Sequence, residues 1–316
     1  MAEDRLDTDD FRLIAALQLD PRASPEKIAA ALALDARRVR RRLGALLGTG
    51  IVSIAVTPPR ASLHGVMLLR IRVLRGKIDV ITSALARRQD IPFIDVSAGG
   101  DEISAVLVAD QTVRDRLVFR QLPATSAVTS VDAQTVMHVF SDSSDWRLDC
   151  LTAREIARLG RSGAAAREPA ISDALDRELV AALEREPRAS AAAIAQSLGH
   201  PESTVRRRLH DLLERGGVVL QVFVDPGQLG LTVDAAISMQ VAPAALDAAG
   251  RALAAHPAVH GALATTGVRN LYAALWLSDL EHLYEFITGT LAELNVDSVD
   301  TVLIGHAVKR PGRAAL

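Results

Sequence analysis

The sequence predicts an α+β fold in which two helix-turn-helix (winged-helix-like) units alternate with two β-α-β-β-α-β units. Three observations carry this expectation. Residues 13–52 recur without a gap at 179–218, with half of the positions identical. Each copy ends in an arginine-rich segment of helical periodicity. Each copy is then followed by a stretch whose apolar pattern switches between the two-residue period of strands and the 3.6-residue period of helices.

The first helical unit spans residues 5–56. Its first helix runs from about Thr8 to Leu19, with Leu13, Ile14 and Leu17 on one face, and Pro21 closes it. Ser24 caps the second, whose first turn accepts Pro25, and Ile28, Ala29 and Leu32 form its buried face. Asp35 caps the third, which buries Val39, Leu43, Leu46 and Leu47, and Gly50 ends it. A short strand over Ile51 to Val56 stops at Pro58-Pro59.

Residues 63–140 follow another rhythm. The pattern predicts strands at 66–73, 91–97, 102–109 and 131–140, with helices at 77–88 and 110–120. That order is the ferredoxin-like arrangement. Residues 141–171 form a linker: a polar loop, a short helix opened by the capping box Thr152-Ala153-Arg154-Glu155, and a small, charged, mobile stretch from Gly160 to Pro169. Residues 172–224 repeat the helical unit and its strand, stopped at Pro226. Residues 228–310 restate the second order, with strands at 232–241, 259–265, 271–277 and 296–304 and helices at 244–255 and 280–294. Lys309 to Arg313 reads as a frayed tail.

The bulk numbers are compatible with this layout. At 316 residues the chain suits two to four small domains, and 49% apolar residues with only 3% aromatics imply aliphatic cores. The net charge of −2 does not announce a nucleic-acid binder, but what matters is whether cations cluster on one face. Cys150 is the single cysteine, so an intrachain disulfide and a cysteine zinc site are excluded. The acidic N-terminus lacks an apolar leader, and nothing approaches the roughly 20 apolar residues of a membrane helix, so a cytoplasmic location is expected.

On the third helix of the first unit, Arg37, Arg38 and Arg41 point away from the buried face and Arg40 and Arg42 flank them. In the second unit the outward positions hold Ser203, Thr204 and Arg207, flanked by Arg206 and Arg208. Outward guanidinium forks suit the major groove of double-stranded DNA, where they pair with guanine O6 and N7 or with phosphate. Ser and Thr read bases weakly, so the two helices are not equivalent readers. A structural reading stands beside this one for Arg42 and Arg208: pairing with first-helix acids such as Asp10 or Asp176.

The chain resembles the Lrp/AsnC (feast/famine) transcriptional regulators. The family's Ser-x-x-x-Ile-Ala second helix appears at Ser24 to Ala29 and Ser190 to Ala195, its Val-x-x-Arg recognition helix at Val39 to Arg42 and Val205 to Arg208, and its Leu-x-x-x-Gly-x-Ile/Val stop at Leu46 to Val52 and Leu212 to Val218. The resemblance implies a DNA-binding regulator whose ferredoxin-like domains sense an amino acid or other small metabolite and self-associate. Family members carry one such pair per chain; this chain carries two. The resemblance places an effector near a glycine loop, here Gly267-Val268-Arg269-Asn270, and Ala98-Gly99-Gly100-Asp101 in the first copy, with Ala where Gly is expected. Arg269 suits a carboxylate, while the same loops also serve plain hairpin turns.

No catalytic constellation is expected, nor any cofactor. His256 and His260 have helical ligand spacing but straddle Pro257, so no metal is assigned. Siroheme decarboxylases resemble this layout and rely on His and Arg near the start of the sheet domain. Residues 222–230 contain neither, while the first copy has Arg60 and His64 nearby. That enzyme reading, and a sensor module that has lost DNA binding, are the alternatives.

Overall fold

The computed structural model describes residues 6–57, 66–160 and 173–310. Pro58-Pro59, Arg60 and His64, the stretch from Arg161 to Pro169, and the tail beyond Arg310 lie outside the described residues. The chain divides into two compact units, each drawn from both halves of the sequence: residues 1–62 with 147–229, and residues 63–146 with 230–316.

The first unit is built from helices. α1 (Thr8–Leu19), α2 (Pro25–Leu32) and α3 (Ala36–Gly48) lead into β1 (Val52–Thr57). The expected caps form: Ser24 Oγ accepts from the Lys27 amide at 3.1 Å and Asp35 Oδ1 from the Arg38 amide at 2.8 Å. Ile14, Leu17, Ile28, Val39, Leu43 and Leu46 meet in one aliphatic core, and Leu47 is only partly buried against it. After the barrel strands described below, the linker helix α6 (Ala153–Leu159) opens on the expected Thr152–Glu155 capping box and adds Leu159 to that core. Then α7 (Ala174–Arg185), α8 (Ala191–Leu198), α9 (Glu202–Glu214) and β6 (Val219–Val224) repeat the pattern around Leu179, Leu183, Ile194, Val205 and Leu209.

The two helical triplets are joined to one another. β1 and β6 pair antiparallel from Val52↔Val224 to Thr57↔Val219. Arg22 donates to the carbonyls of Pro187 and Ala189, each at 2.5 Å, and Arg188 donates to those of Pro21 and Ala23 at 2.6 and 2.8 Å. These reciprocal hydrogen bonds form a clasp. Desolvation lowers both guanidinium pKa values, and at Arg22 the facing charge of Arg188 adds to it.

The second unit holds β2 (Met67–Val73), α4 (Ile78–Ala86), β3 (Phe93–Ser97), β4 (Glu102–Leu107), α5 (Gln111–Arg116) and β5 (Val128–Ser141). The same order then follows in β7 (Val233–Val241), α10 (Leu246–Ala255), β8 (Val259–Thr265), β9 (Leu271–Leu277), α11 (Leu280–Glu285) and β10 (Val296–Lys309). α5 and α11 each run on into a π-helical turn, at Leu117–Gln121 and Phe286–Thr290.

Here the structure corrects the expectation of two separate sheet domains. The eight strands close one barrel in the order β10-β3-β4-β2-β5-β8-β9-β7. Closure follows from strand length: β5 and β10 are 14 residues each. Their C-terminal parts outrun their own sheets and pair with β8 (Val136↔Thr265) and β3 (Ile304↔Ser97). Both seams satisfy backbone groups that would otherwise form open edges. Alternate residues divide the strands. Leu69, Ile71 and Ile103 pack in one aliphatic cluster, and Ile237, Leu271, Ala273 and Leu275 in another, beneath the helices. Leu68, Arg70, Ser104, Ser238 and Tyr272 line the lumen around a small cavity of about 50 Å³. Among the described residues no helix is long and apolar enough to cross a membrane.

Candidate nucleic-acid interface and effector pocket

α3 places Val39, Leu43 and Leu46 in the core, and its other face carries the arginines. Arg37 and Arg41 are exposed and have no ion-pair or hydrogen-bond partner among the described residues. Arg38 is exposed and lies 2.8 Å from Asp9, and Arg40 pairs with Glu26 on α2. Arg42 turns the other way. Its Nε donates to Asp10 Oδ1 at 2.6 Å, and its Nη2 also approaches Asp7 at 2.9 Å. Asp10 is 3% exposed and closes the α1 capping box with Asp7.

α9 repeats this division. Ser203 and Arg207 are exposed and Thr204 is half-buried. Arg206 pairs with Glu202, and Arg207 lies 3.9 Å from Asp211. Arg208 pairs with Asp173, the N-cap of α7, and reaches the buried Asp176 at 3.4 Å. Hydrogen bonding from the Asp176 amide and the charge of Arg208 hold the Asp173 carboxyl below its usual range. Arg42 and Arg208, flanking positions assigned to DNA, thus take the structural pairing with Asp10 and Asp176 that stood beside that role. Each is drawn in by two carboxylates at the N-terminus of the first helix of its own triplet.

The glycine loops also differ from expectation. Ile71 pairs with Ile103 in β2–β4 and Met239 with Leu271 in β7–β9, and all four side chains are buried in the core. This register makes Gly99, not Ala98, the counterpart of Gly267, and Gly99-Gly100-Asp101-Glu102 the counterpart of Gly267 to Asn270. The glycine judged missing from the first copy is present one residue further on. Ala98 is instead held to β10, its amide donating to the Leu303 carbonyl at 2.8 Å.

Gly267, Val268 and Arg269 line a pocket of about 350 Å³ with Asp132, Gln134, Gln240 and Ser298. Gly267 adopts φ 103°, a conformation that favours glycine. Asn270 does not line this pocket; its amide bridges the Val241 backbone, accepting from N–H at 3.0 Å and donating to C=O at 2.9 Å. Arg269 lies 3.3 Å from Asp300, which Arg70 also holds at 2.6 Å. Those two cations depress the Asp300 carboxyl, Arg70 foremost. Arg70 in turn grips the buried Glu102 at 2.8 Å. Asp101 lies 3.4 Å from Ser97 in its hairpin. Among the described residues no His, Cys, Asp and Glu group is arranged to hold a metal.

The sequence reading missed the arginine clasp, although Pro-Arg-Ala-Ser stands in both copies at 21–24 and 187–190. It also missed the Arg70–Asp300–Arg269 link, for which no local pattern exists.

Two arginine-faced helical triplets and an antiparallel barrel define a helix-turn-helix protein with an appended α+β unit. Comparison with known families agrees. A winged helix-turn-helix DNA-binding profile matches residues 6–53, the AsnC-type helix-turn-helix domain matches 173–213, and the Lrp/AsnC ligand-binding domain matches 234–314. The second half of the chain thus carries an AsnC-type helix-turn-helix domain followed by an Lrp/AsnC ligand-binding domain, and the first half opens on a winged helix-turn-helix. The chain is 28% identical over 144 residues to an uncharacterized HTH-type transcriptional regulator of Pyrococcus horikoshii, covering 45% of this chain and 90% of that one. A regulator of the same description from Pyrococcus abyssi matches equally. Among solved structures, the siroheme decarboxylase NirDL is similar in fold, with a TM-score of 0.58 at 15% identity over 97% of this chain and 94% of that one.

Proposed function

We propose that the protein is a sequence-specific DNA-binding transcriptional regulator built as a tandem duplicate: two helix-turn-helix units and two ferredoxin-like halves in one chain. The observation that carries the reading is the pair of arginine-bearing third helices, α3 and α9, on triplets clasped together in one unit. Arg37, Arg38, Arg40 and Arg41 on α3, with Ser203, Thr204, Arg206 and Arg207 on α9, form the DNA surface. Such surfaces gain affinity by displacing counterions from phosphate, so binding weakens as salt rises. A mobility-shift titration against random-sequence duplex at low salt tests the reading. A retarded complex that dissolves with added salt is expected; its absence overturns the proposal.

A small carboxylate effector, such as an amino acid, fits the pocket at Gly267, Val268 and Arg269. Arg269 offers a fork to the carboxylate, and Asp132, which also lines the pocket, offers a countercharge to an amine. The first-copy loop, Ala98 to Asp101, is the weaker candidate, because Ala98 is committed to β10.

A second reading follows from the fold shared with siroheme decarboxylase. Its expected carriers here, Arg60 and His64, lie outside the described residues. Titration with an iron porphyrin, followed by absorbance, separates the two: a saturable shifted Soret band favours the enzyme, and an unshifted spectrum favours the regulator.

A further inference from the structure

We propose that a single chain is a complete reader of an asymmetric DNA site. In this site α3 reads guanine through Arg37 and Arg41, and α9 holds the second half-site with little base preference. The inference rests on the DNA-binding reading above and adds the number of chains, the inequality of the half-sites and the residues that set it.

The count of chains follows from the clasp. Arg22 reaches Pro187 and Ala189, while Arg188 reaches Pro21 and Ala23. β1 pairs with β6 through six residue pairs in the same unit. This is the pattern of an isologous two-fold contact, in which each side presents the same patch to the other. Here both patches belong to one chain, and the contact is already closed on itself. A second copy has no vacant half of it to occupy. The separation of α3 and α9 is thus set within the chain.

The inequality follows from the charges around each helix. On α3, Arg38 is drawn toward Asp9 and Arg40 toward Glu26, which leaves the forks of Arg37 and Arg41 uncommitted. The residues answering Arg37 and Arg38 on α9 are Ser203 and Thr204, whose single hydroxyls cannot form the two-point contact to guanine O6 and N7. Arg207 answers Arg41, but Asp211 stands one turn on and 3.9 Å away, where α3 has Ala45. Arg206 is tied to Glu202. Two free forks face one half-site, and none faces the other. Phosphate contacts fix register without carrying sequence information, which suits the residues left on α9.

The test uses the full chain. A duplex is selected from a random library, and complex mass is measured by analytical ultracentrifugation with affinity by fluorescence anisotropy. The expected result is one chain per duplex and a consensus with fixed guanines in one half only. Arg37→Lys with Arg41→Lys keeps the charge and removes the fork. It should weaken the selected site about ten- to a hundredfold while changing random duplex by less than about threefold. Ser203→Ala with Thr204→Ala should weaken both duplexes alike. A circular-dichroism melt confirms that each variant is folded. A palindromic consensus, two chains per duplex, or equal losses on both duplexes for the lysine variant overturns the inference while leaving the regulator reading intact. No binding to any duplex overturns the regulator reading itself, and the inference falls with it.

Discussion

Arg41 and Arg42 are neighbours with opposite fates, and the difference is one step of about 100° around a helix. That step carries Arg42 toward Asp10 and Asp7 and leaves Arg41 in solvent. Asp10 is buried, so loss of its guanidinium strands a carboxylate in the core of the first triplet. Arg42→Ala should therefore lower unfolding free energy by about 2 kcal/mol in urea denaturation. Arg41→Ala should stay within about 0.5 kcal/mol of the parent and weaken only DNA binding. Equal stability losses would refute the division.

A second residue-scale prediction concerns Asp234 on the lumen side of β7. Burial, with the nearby Asp95 carboxylate, pushes its pKa up to about 6, against the opposing charge of Arg310. Its folded-state pKa thus lies above the unfolded value, and the folded state holds a proton that the unfolded chain has released. Stability attributable to this group falls as pH rises from about 4 to about 6 and stays lower above that. Asp234→Asn should raise stability at pH 7 by about 1–3 kcal/mol and change little at pH 4. Thermal melts across that range check it; a benefit that grows as pH falls would reverse the sign.

Among the elements, helix boundaries were the most legible part of the sequence. Ser24, Asp35 and the Thr152–Glu155 box cap where their side-chain chemistry requires. The strands at 259–265 and 271–277 begin and end where alternation begins and ends. What was not legible depends on distant partners. The lengths of β5 and β10 are set by seams with strands from the other half, and the pattern of 131–140 alone contains no trace of them. The one-residue error in matching the hairpin loops has the same origin, because register is fixed across strands.

Gly250 on α10 shows how tightly such a distant partner can pack. A Cβ there would stand 2.1 Å from Cε2 of Phe140, which projects from β5. Glycine to alanine in a helix ordinarily gains about 1 kcal/mol, whereas overpacking costs about 1–3 kcal/mol. The overlap is too deep for a shift of a few tenths of an ångström, so Gly250→Ala should lose about 1 kcal/mol net. Adding Phe140→Leu should recover that loss. A stabilised single variant would show that the ring moves aside freely.

At the scale of the whole molecule, the two halves of the sequence meet twice: at the clasp in the helical unit and around the barrel in the other. The barrel contact carries charge as well as backbone pairing. Asp300, on β10 of the second half, bridges Arg70 on β2 of the first half and Arg269 in the proposed effector loop. A carboxylate entering the 350 Å³ pocket must compete with Asp300 for Arg269. Asp300 is held well on the charged side of its titration by the same two arginines, so it competes at neutral pH. Asp300→Asn removes the competitor and leaves a side chain of nearly the same shape. If Arg269 receives the ligand, this variant should bind the effector about tenfold more tightly, equal to about 1.4 kcal/mol, by isothermal titration calorimetry against a panel of amino acids. Arg269→Gln should abolish binding in both backgrounds. By linkage, the tighter binding should also raise the ligand's stabilisation of the fold in a thermal melt. Unchanged affinity in Asp300→Asn, with binding retained in Arg269→Gln, would move the effector away from this loop and leave the Asp300 bridge a purely structural link between the halves.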